Sequence, residues 1–341
     1  MIDTSLHQSE PVTLPDRSFG KQARSVAGYA LLTAMMVITQ LLVFVPAVLF
    51  HCGIRNGRRA AWATAGAALA IASLFVAAAI PAAAPDVMKM AWANFAAVAL
   101  AIVLPSVAAL PLIERRTSFG RLLVFLMACG AAGHVLIETV ARTLLAFSPF
   151  RFHVAQMMQV NEELLKLYRN GAAPDAVRMA ERWAAYNTTL LPALTVIGLA
   201  LVFLLSILMF GRLNAWREHL TRRDGDALGT YLFRNFALPE WMLFAFLVGG
   251  VTPLATGLLH QIAANTLVVV AFLYILQGLA IFRSLLVAMG VGAIGTILGG
   301  LLLLITGLGL LPLAVAGLFD PFFDFRHFKK RKDDSHESHS D

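Results

Sequence analysis

Eight long apolar segments dominate this sequence of 341 residues and constrain what it can fold into. They cover about 26–50, 61–84, 88–112, 119–146, 188–211, 239–261, 264–288 and 290–318. A helix needs roughly 20 apolar residues to cross the hydrocarbon core of a bilayer. Only 14% of the residues are charged, whereas soluble domains carry about 25%. The sequence therefore predicts an all-α, polytopic transmembrane bundle and excludes a water-soluble, disordered or fibrous protein.

The distribution of Lys and Arg predicts which parts of the chain face the cytoplasm. Basic residues concentrate in the N-terminal segment 1–25, in the loop 212–237 and in the tail 319–341, and basic loops stay inside. The insert 148–187, within the predicted bundle 26–318, carries nearly balanced charges and is expected outside. We therefore expect a multi-pass membrane protein, with the lipid bilayer as its first partner.

The first and last apolar segments conflict with this orientation. Both 26–50 and 290–318 have basic residues at each end, so neither can cross once without breaking the charge rule. One solution makes both segments broken and re-entrant, with Pro46 and Pro312 at the breaks. The other solution places both termini outside. The charge rule favours broken segments.

The outer insert reads as two short amphipathic helices. Apolar residues recur at helical spacing over Val154–Tyr168, and a second helix is predicted over Asp175–Tyr186 after Pro174. Two interpretations remain open. The pair forms a lid over an outward-facing cavity, or it lies as a hairpin on the lipid headgroups.

Three ionisable residues share one face of the fourth apolar segment. His134, Glu138 and Arg142 are spaced four apart, and Glu before Arg at this spacing favours an ion pair. Because charged groups in a span cost about 2.5–3.5 kcal/mol each, they demand an explanation. They are candidates for ligand binding, and the alternative is a structural ion pair with a hydrogen-bonded histidine.

Amides and arginines supply the remaining candidates. Asn265 and Gln277 lie in the seventh segment, where amides suit either a neutral hydrogen-bonding ligand or packing between helices. Arg222 and Arg223 in the basic loop are candidates for docking a partner, against ordinary cytoplasmic anchoring.

No enzyme motif is recognisable in the chain. It lacks a phosphate-binding glycine loop, a zinc-protease helix and a nucleophile elbow, and its two cysteines do not form a metal-ligand pattern. We expect no catalytic residue, no metal, no cofactor and no nucleic-acid partner.

Short motifs, mainly in the second half, resemble those of the YybS-like family of bacterial inner-membrane proteins. They are Leu-Phe-Asp-Pro-Phe-Phe-Asp-Phe-Arg at 318–326, Phe-Arg-Asn-Phe-Ala-Leu-Pro-Glu-Trp at 233–241, Leu-Gln-Gly-Leu at 276–279, and Asn265, with weaker matches at 30–34 and 55–57. That family is distantly similar to the substrate-binding S components of energy-coupling-factor transporters.

The resemblance implies a compact helix bundle that holds a small molecule on its outer side. It also implies that Ala30 and Ala34, a pair of small residues on the first segment, match the face that docks a transmembrane coupling protein. Asp320, Asp324 and Arg326 in the closing motif either cap the last helix or form a docking site.

Two functions follow as hypotheses. The first is a non-enzymatic, transport-related membrane subunit that binds a small molecule near His134 and Glu138. The second is a scaffold or assembly factor that recruits a protein partner through its basic loop.

Overall fold

A computed structural model describes residues 19–79, 85–171, 173–212, 232–251, 254, 256–305, 307 and 309–323. Within these ranges the chain forms helices and no strand. The fold class is therefore the all-α membrane bundle that the composition predicts. Five helical segments are long and apolar enough to cross a membrane: Arg58–Ala79, Pro85–Glu114, Phe119–Leu145, Leu191–Phe210 and Gly257–Ala288.

Fourteen α-helices are described. They are α1 Phe19–Ile38, α2 Phe44–Asn56, α3 Arg58–Ala79, α4 Pro85–Val98, α5 Leu104–Ala108, α6 Leu110–Glu114, α7 Phe119–Leu145, α8 Pro149–Arg169, α9 Pro174–Thr189, α10 Leu191–Phe210, α11 Met242–Gly250, α12 Gly257–Ala288, α13 Ala293–Ile305 and α14 Leu310–Phe323. A π-helical turn, Ala99–Val103, joins α4 to α5, so α4 to α6 form one long segment.

The first apolar segment is a helical hairpin. The Asn56 side chain at the end of α2 donates to Ser25 Oγ near the start of α1 at 3.1 Å, and the rings of Tyr29 and His51 lie 5.7 Å apart. The two arms therefore run antiparallel and begin and end at the same end of the bundle. The break falls between Ile38 and Phe44, just before Pro46, and confirms the predicted broken segment.

The hairpin turn stops inside the bundle. Ser206 on α10 donates to the carbonyl of Val43 in the turn, and Phe50 packs edge-on against Phe210. Ser206 is 15 residues from the other end of α10, about 22 Å at 1.5 Å per residue. The geometry is therefore re-entrant.

The end of the bundle that holds both ends of this hairpin is also rich in arginine, and we call it the basic end. Arg58 at the start of α3 pairs with Glu114 at the end of α6, with Nε 2.9 Å from Oε2. Arg55, Arg115 and Arg116 are their neighbours in sequence. The opposite end, where α7 meets α8, is called the far end.

Two predicted segments have different bounds in the structure. The span 239–261 is wrong as a single helix, because α11 ends at Gly250 and α12 begins at Gly257. Adjacent glycines at 249–250 lower helix propensity there, and Pro253 follows. The last segment is broken between Ile305 and Leu310, where Gly307 has φ of 66°, just before Pro312.

The C-terminal helices cross at closely packed glycines. An added Cβ at Gly278 on α12 would lie 1.9 Å from the carbonyl oxygen of Leu313 on α14. At Gly317 on α14 it would lie 2.1 Å from the carbonyl oxygen of Tyr274. Only glycine permits this backbone approach.

Candidate functional site

Two adjoining cavities lie between α4, α7 and α10, and they share one wall. The first has a volume of about 670 Å³ and is bounded by α8 on its remaining side. The second has a volume of about 700 Å³ and is bounded by α1 and α3. The shared wall consists of Asn94, Ala97, His134 and Thr195. Ligand cavities in proteins span about 300–1,000 Å³, so each is large enough for a small molecule.

Glycines on α7 bring His134 to this wall. An added Cβ at Gly133 would lie 2.7 Å from the carbonyl oxygen of Leu100, and one at Gly130 would lie 2.8 Å from that of Ala101. Both carbonyls belong to the π-helical turn, and such turns occur frequently at functional sites. The close approach places His134 beside the turn and opposite Thr195.

The polar groups of the cavity are few and uncharged apart from Glu138. Asn94, His134 and Thr195 are joined on the first cavity by His153 and Gln156 from α8, and on the second by Gln40. Desolvation by burial lowers the pKa of His153, which favours the neutral form of its imidazole. Apolar side chains line the remainder of both cavities. The arrangement can hold a largely apolar molecule by a small number of hydrogen bonds.

Glu138 lines the first cavity, but its carboxylate is engaged in anchoring α8. Oε1 accepts from Arg142 Nε at 2.6 Å and from the Ser148 hydroxyl, and Oε2 accepts from the Phe150 backbone N–H at 2.9 Å. Ser148 in turn caps α8 by accepting from the Arg151 N–H. The carboxylate therefore supplies a partner for the first turn of α8.

Arg142 does not line either cavity. Its side chain is 52% exposed and borders a separate surface depression with Lys89 and Arg151. Of the three residues spaced along α7, the structure brings His134 and Glu138 to the cavity and leaves Arg142 outside it.

Asn265 anchors the other end of the α8–α9 pair. Its Oδ1 accepts from the Ala193 N–H at 2.9 Å, and its Nδ2 donates to the carbonyl of Thr189 at 3.1 Å. It thereby joins α12 to the junction of α9 and α10. Glu138 and Asn265, both predicted as ligand contacts, lie at the two attachment points of the insert.

Gln277 lies in a different part of the bundle, where residues of three of the sequence motifs quoted above meet. It is 1% exposed. Its Oε1 accepts from the Leu238 N–H at 3.0 Å, and its Nε2 donates to Asp320 Oδ2 at 3.2 Å. The motifs at 233–241, 276–279 and 318–326 therefore meet at one buried amide. A cavity of about 570 Å³ beside it is lined by Glu240 and Trp241.

The residues predicted to dock partners are placed as follows. Ala30 and Ala34 are 2% and 0% exposed, on a helix that packs chiefly along α3, so their surface is already covered by this chain. Asp320 is 8% exposed and lies within α14, which runs to Phe323. Arg222, Arg223, Asp324 and Arg326 lie outside the described residues.

Removal of the Glu138 carboxylate should loosen the insert. In Glu138→Ala three hydrogen bonds are lost, and one to a charged group contributes about 1.5–3 kcal/mol. We expect trypsin to cleave the detergent-solubilised variant after Arg142 or Arg151 at least tenfold faster than the wild type. Glu163→Ala, an exposed change on α8, is the control. Equal cleavage rates in the two variants would contradict the anchoring role.

Sequence reasoning missed Thr195, His153 and Gln156 as part of this site. His153 lies just before the helix predicted over 154–168 and Gln156 lies within it, but nothing in the sequence says which span they meet. Asn94 is an amide in the third apolar segment, and the sequence gives no further sign of a site there. Its position opposite His134 depends on helix pairing, which hydropathy does not encode.

The fold defines a multi-pass α-helical membrane protein with two adjoining cavities between its helices. The chain matches the family described as "Predicted membrane protein (DUF2232)" over residues 26–321. It belongs to this family, and the match covers the bundle from the first hairpin to α14. No match is found among curated proteins or among solved structures.

Proposed function

We propose that this protein is a non-enzymatic membrane subunit that binds a small, largely apolar, hydrogen-bonding molecule between α4, α7, α8 and α10. The observation that carries the proposal is the shared wall, where one amide, one imidazole and one hydroxyl converge between two cavities of about 670 and 700 Å³. Neutral donors and acceptors in an apolar surround match a neutral ligand, because an unpaired charge there would carry a desolvation cost.

A role in transport is the finer part of the proposal. The likeness of the sequence motifs to the YybS-like family, and through it to S components, supports a subunit that presents a ligand to a membrane partner. The insert supports it as well, since it is held at both ends by Glu138 and Asn265 and forms a wall of the first cavity. We also propose residence in the bacterial inner membrane, which the resemblance to the YybS-like family supports, with the arginine-rich basic end on the cytoplasmic side.

Small molecules that copurify with the protein test the binding function. The full chain is extracted from its native membrane in mild detergent, and methanol-released compounds are identified by mass spectrometry. We expect one compound to be enriched with the wild type and at least tenfold less with His134→Leu, which keeps the bulk but removes the imidazole. Gln261→Leu, an exposed change on α12, should retain it. Equal recovery from all three proteins would refute binding at His134.

The proteins that copurify in the same extract distinguish the transport-subunit hypothesis from the scaffold hypothesis. A transmembrane coupling protein with ATPases supports the transport subunit. A stable complex with proteins of envelope biosynthesis, with no compound enriched, would instead support the scaffold hypothesis that the basic loop suggested.

A further inference from the structure

The α8–α9 hairpin presents one continuous apolar stripe along a single side. On α8 the stripe consists of Val160, Leu164 and Leu167, and on α9 of Met179, Trp183 and Tyr186. These six side chains are between 47% and 73% exposed, and neither helix contains a buried residue. Such exposure of large apolar groups needs a partner outside the hairpin.

The two halves of the stripe lie on the same side of the hairpin. The helices contact each other through half-buried positions such as Leu165 and Ala184, and Asn161 Nδ2 donates to the Ala184 carbonyl at 3.4 Å. Leu164 and Trp183 each precede a contact position by one residue, a rotation of about 100°. Because the helices are antiparallel, equal rotations in the same sense turn both side chains to the same side.

The stripe continues the face of α8 that lines the first cavity. His153 and Gln156 border the cavity together with Val160, and Leu164 and Leu167 follow at spacings of four and three. The first half of this face therefore meets the ends of the spanning helices. Its second half, Leu164 and Leu167, is exposed.

Charged residues border the stripe and occupy the other sides of the hairpin. Glu162, Lys166 and Arg178 are exposed on those other sides, and Arg169 pairs with Glu181 at 2.7 Å. Tryptophan and tyrosine, both present in the stripe, are the residues enriched at membrane interfaces. An amphipathic element of this kind embeds its apolar face about 5–10 Å into the headgroup and acyl boundary.

We propose that the α8–α9 hairpin lies in the headgroup layer at the far end of the bundle, with the apolar stripe in contact with phospholipid. The occupant of the stripe is thus the bilayer that surrounds the spans, since the stripe is continuous with the face that contacts them. The hairpin is a membrane-attached side wall of the cavity. This inference does not depend on a ligand being bound.

Spin labels on the hairpin test the placement. In the full chain carrying Cys129→Ala (Cys52 is buried and inaccessible to the label), single labels are introduced through Leu164→Cys and Trp183→Cys on the stripe. The controls are Glu162→Cys and Arg178→Cys, two exposed residues on the other sides of α8 and α9. The proteins are reconstituted in vesicles of phosphatidylethanolamine and phosphatidylglycerol, and collision rates with oxygen and with a water-soluble nickel chelate are measured.

The stripe labels should collide several times more often with oxygen than with the nickel chelate, and the control labels should show the reverse. Equal exposure of stripe and control labels to the nickel chelate would overturn the proposal, because the stripe would then face water. Protection of the stripe labels from both reagents, with dipolar broadening that grows with the labelled fraction, would also overturn it. A second copy of the chain would then cover the stripe.

Discussion

Replacing Gly278 with alanine should strongly destabilise the protein, because two helix backbones meet at this residue. The new Cβ would lie 1.9 Å from the Leu313 carbonyl oxygen, and a backbone atom cannot move aside as a side chain can. Overpacking costs about 1–3 kcal/mol and occasionally more, and we expect about 3 kcal/mol or more for this variant. Gly317→Ala should behave similarly, because it meets the Tyr274 carbonyl from the other helix.

Thermal unfolding of the detergent-solubilised protein, followed by tryptophan fluorescence, measures this effect. Gly66→Ala on α3 is the control, since nothing lies within 4 Å of its added Cβ. Alanine in a helix interior is favoured over glycine by about 0.5–1 kcal/mol, so the control should be unchanged or slightly more stable. A Gly278→Ala protein as stable as this control would show that α12 and α14 do not cross as described.

Gln277→Leu should have the second largest effect. The side chain is 1% exposed and connects the Leu238 N–H to the Asp320 carboxylate. Leucine fills a similar volume but leaves both partners buried without the amide. A neutral hydrogen bond contributes about 0.5–1.5 kcal/mol and one to a charged group about 1.5–3 kcal/mol, so we expect a total of roughly 2–4 kcal/mol.

The same unfolding assay tests Gln277, with Gln261→Leu on the exposed part of α12 as its control. If Gln277→Leu unfolded at the temperature of the control, the amide would not connect the three motifs. Retention of the copurifying compound by this variant is expected as well, because Gln277 is absent from both cavities at His134.

The sequence was sufficient to predict the fold class and part of the topology. Long apolar runs mark spans because a bilayer admits only helices whose backbone is satisfied internally. The basic residues on both sides of 26–50 predicted the re-entrant hairpin, since a short loop rich in arginine stays on one side. Hydropathy alone failed at 239–261. The residues between Gly250 and Gly257 are apolar enough to be read as part of one span, although α11 ends at Gly250 and α12 begins at Gly257.

The site was only partly predictable. The spacing of His134 and Glu138 placed both on one face of α7, and both line the first cavity. Their roles differ because of what faces them: Glu138 meets the start of α8, whereas His134 meets α4 and α10. Sequence spacing fixes neighbours on one helix, but contacts between helices such as Asn265 with Ala193 depend on packing that one helix does not encode.

The most direct test of the account is the mass of the intact protein under non-denaturing conditions. Ala97 belongs to the wall that both cavities share, so Ala97→Phe fills it, whereas Ala67→Phe places the same ring on the exposed side of α3. We predict that the wild type and Ala67→Phe carry a bound species of one defined mass and that Ala97→Phe does not. Retention of the bound species by Ala97→Phe would contradict a small-molecule site between α4, α7 and α10. Its absence from the wild type would contradict it as well.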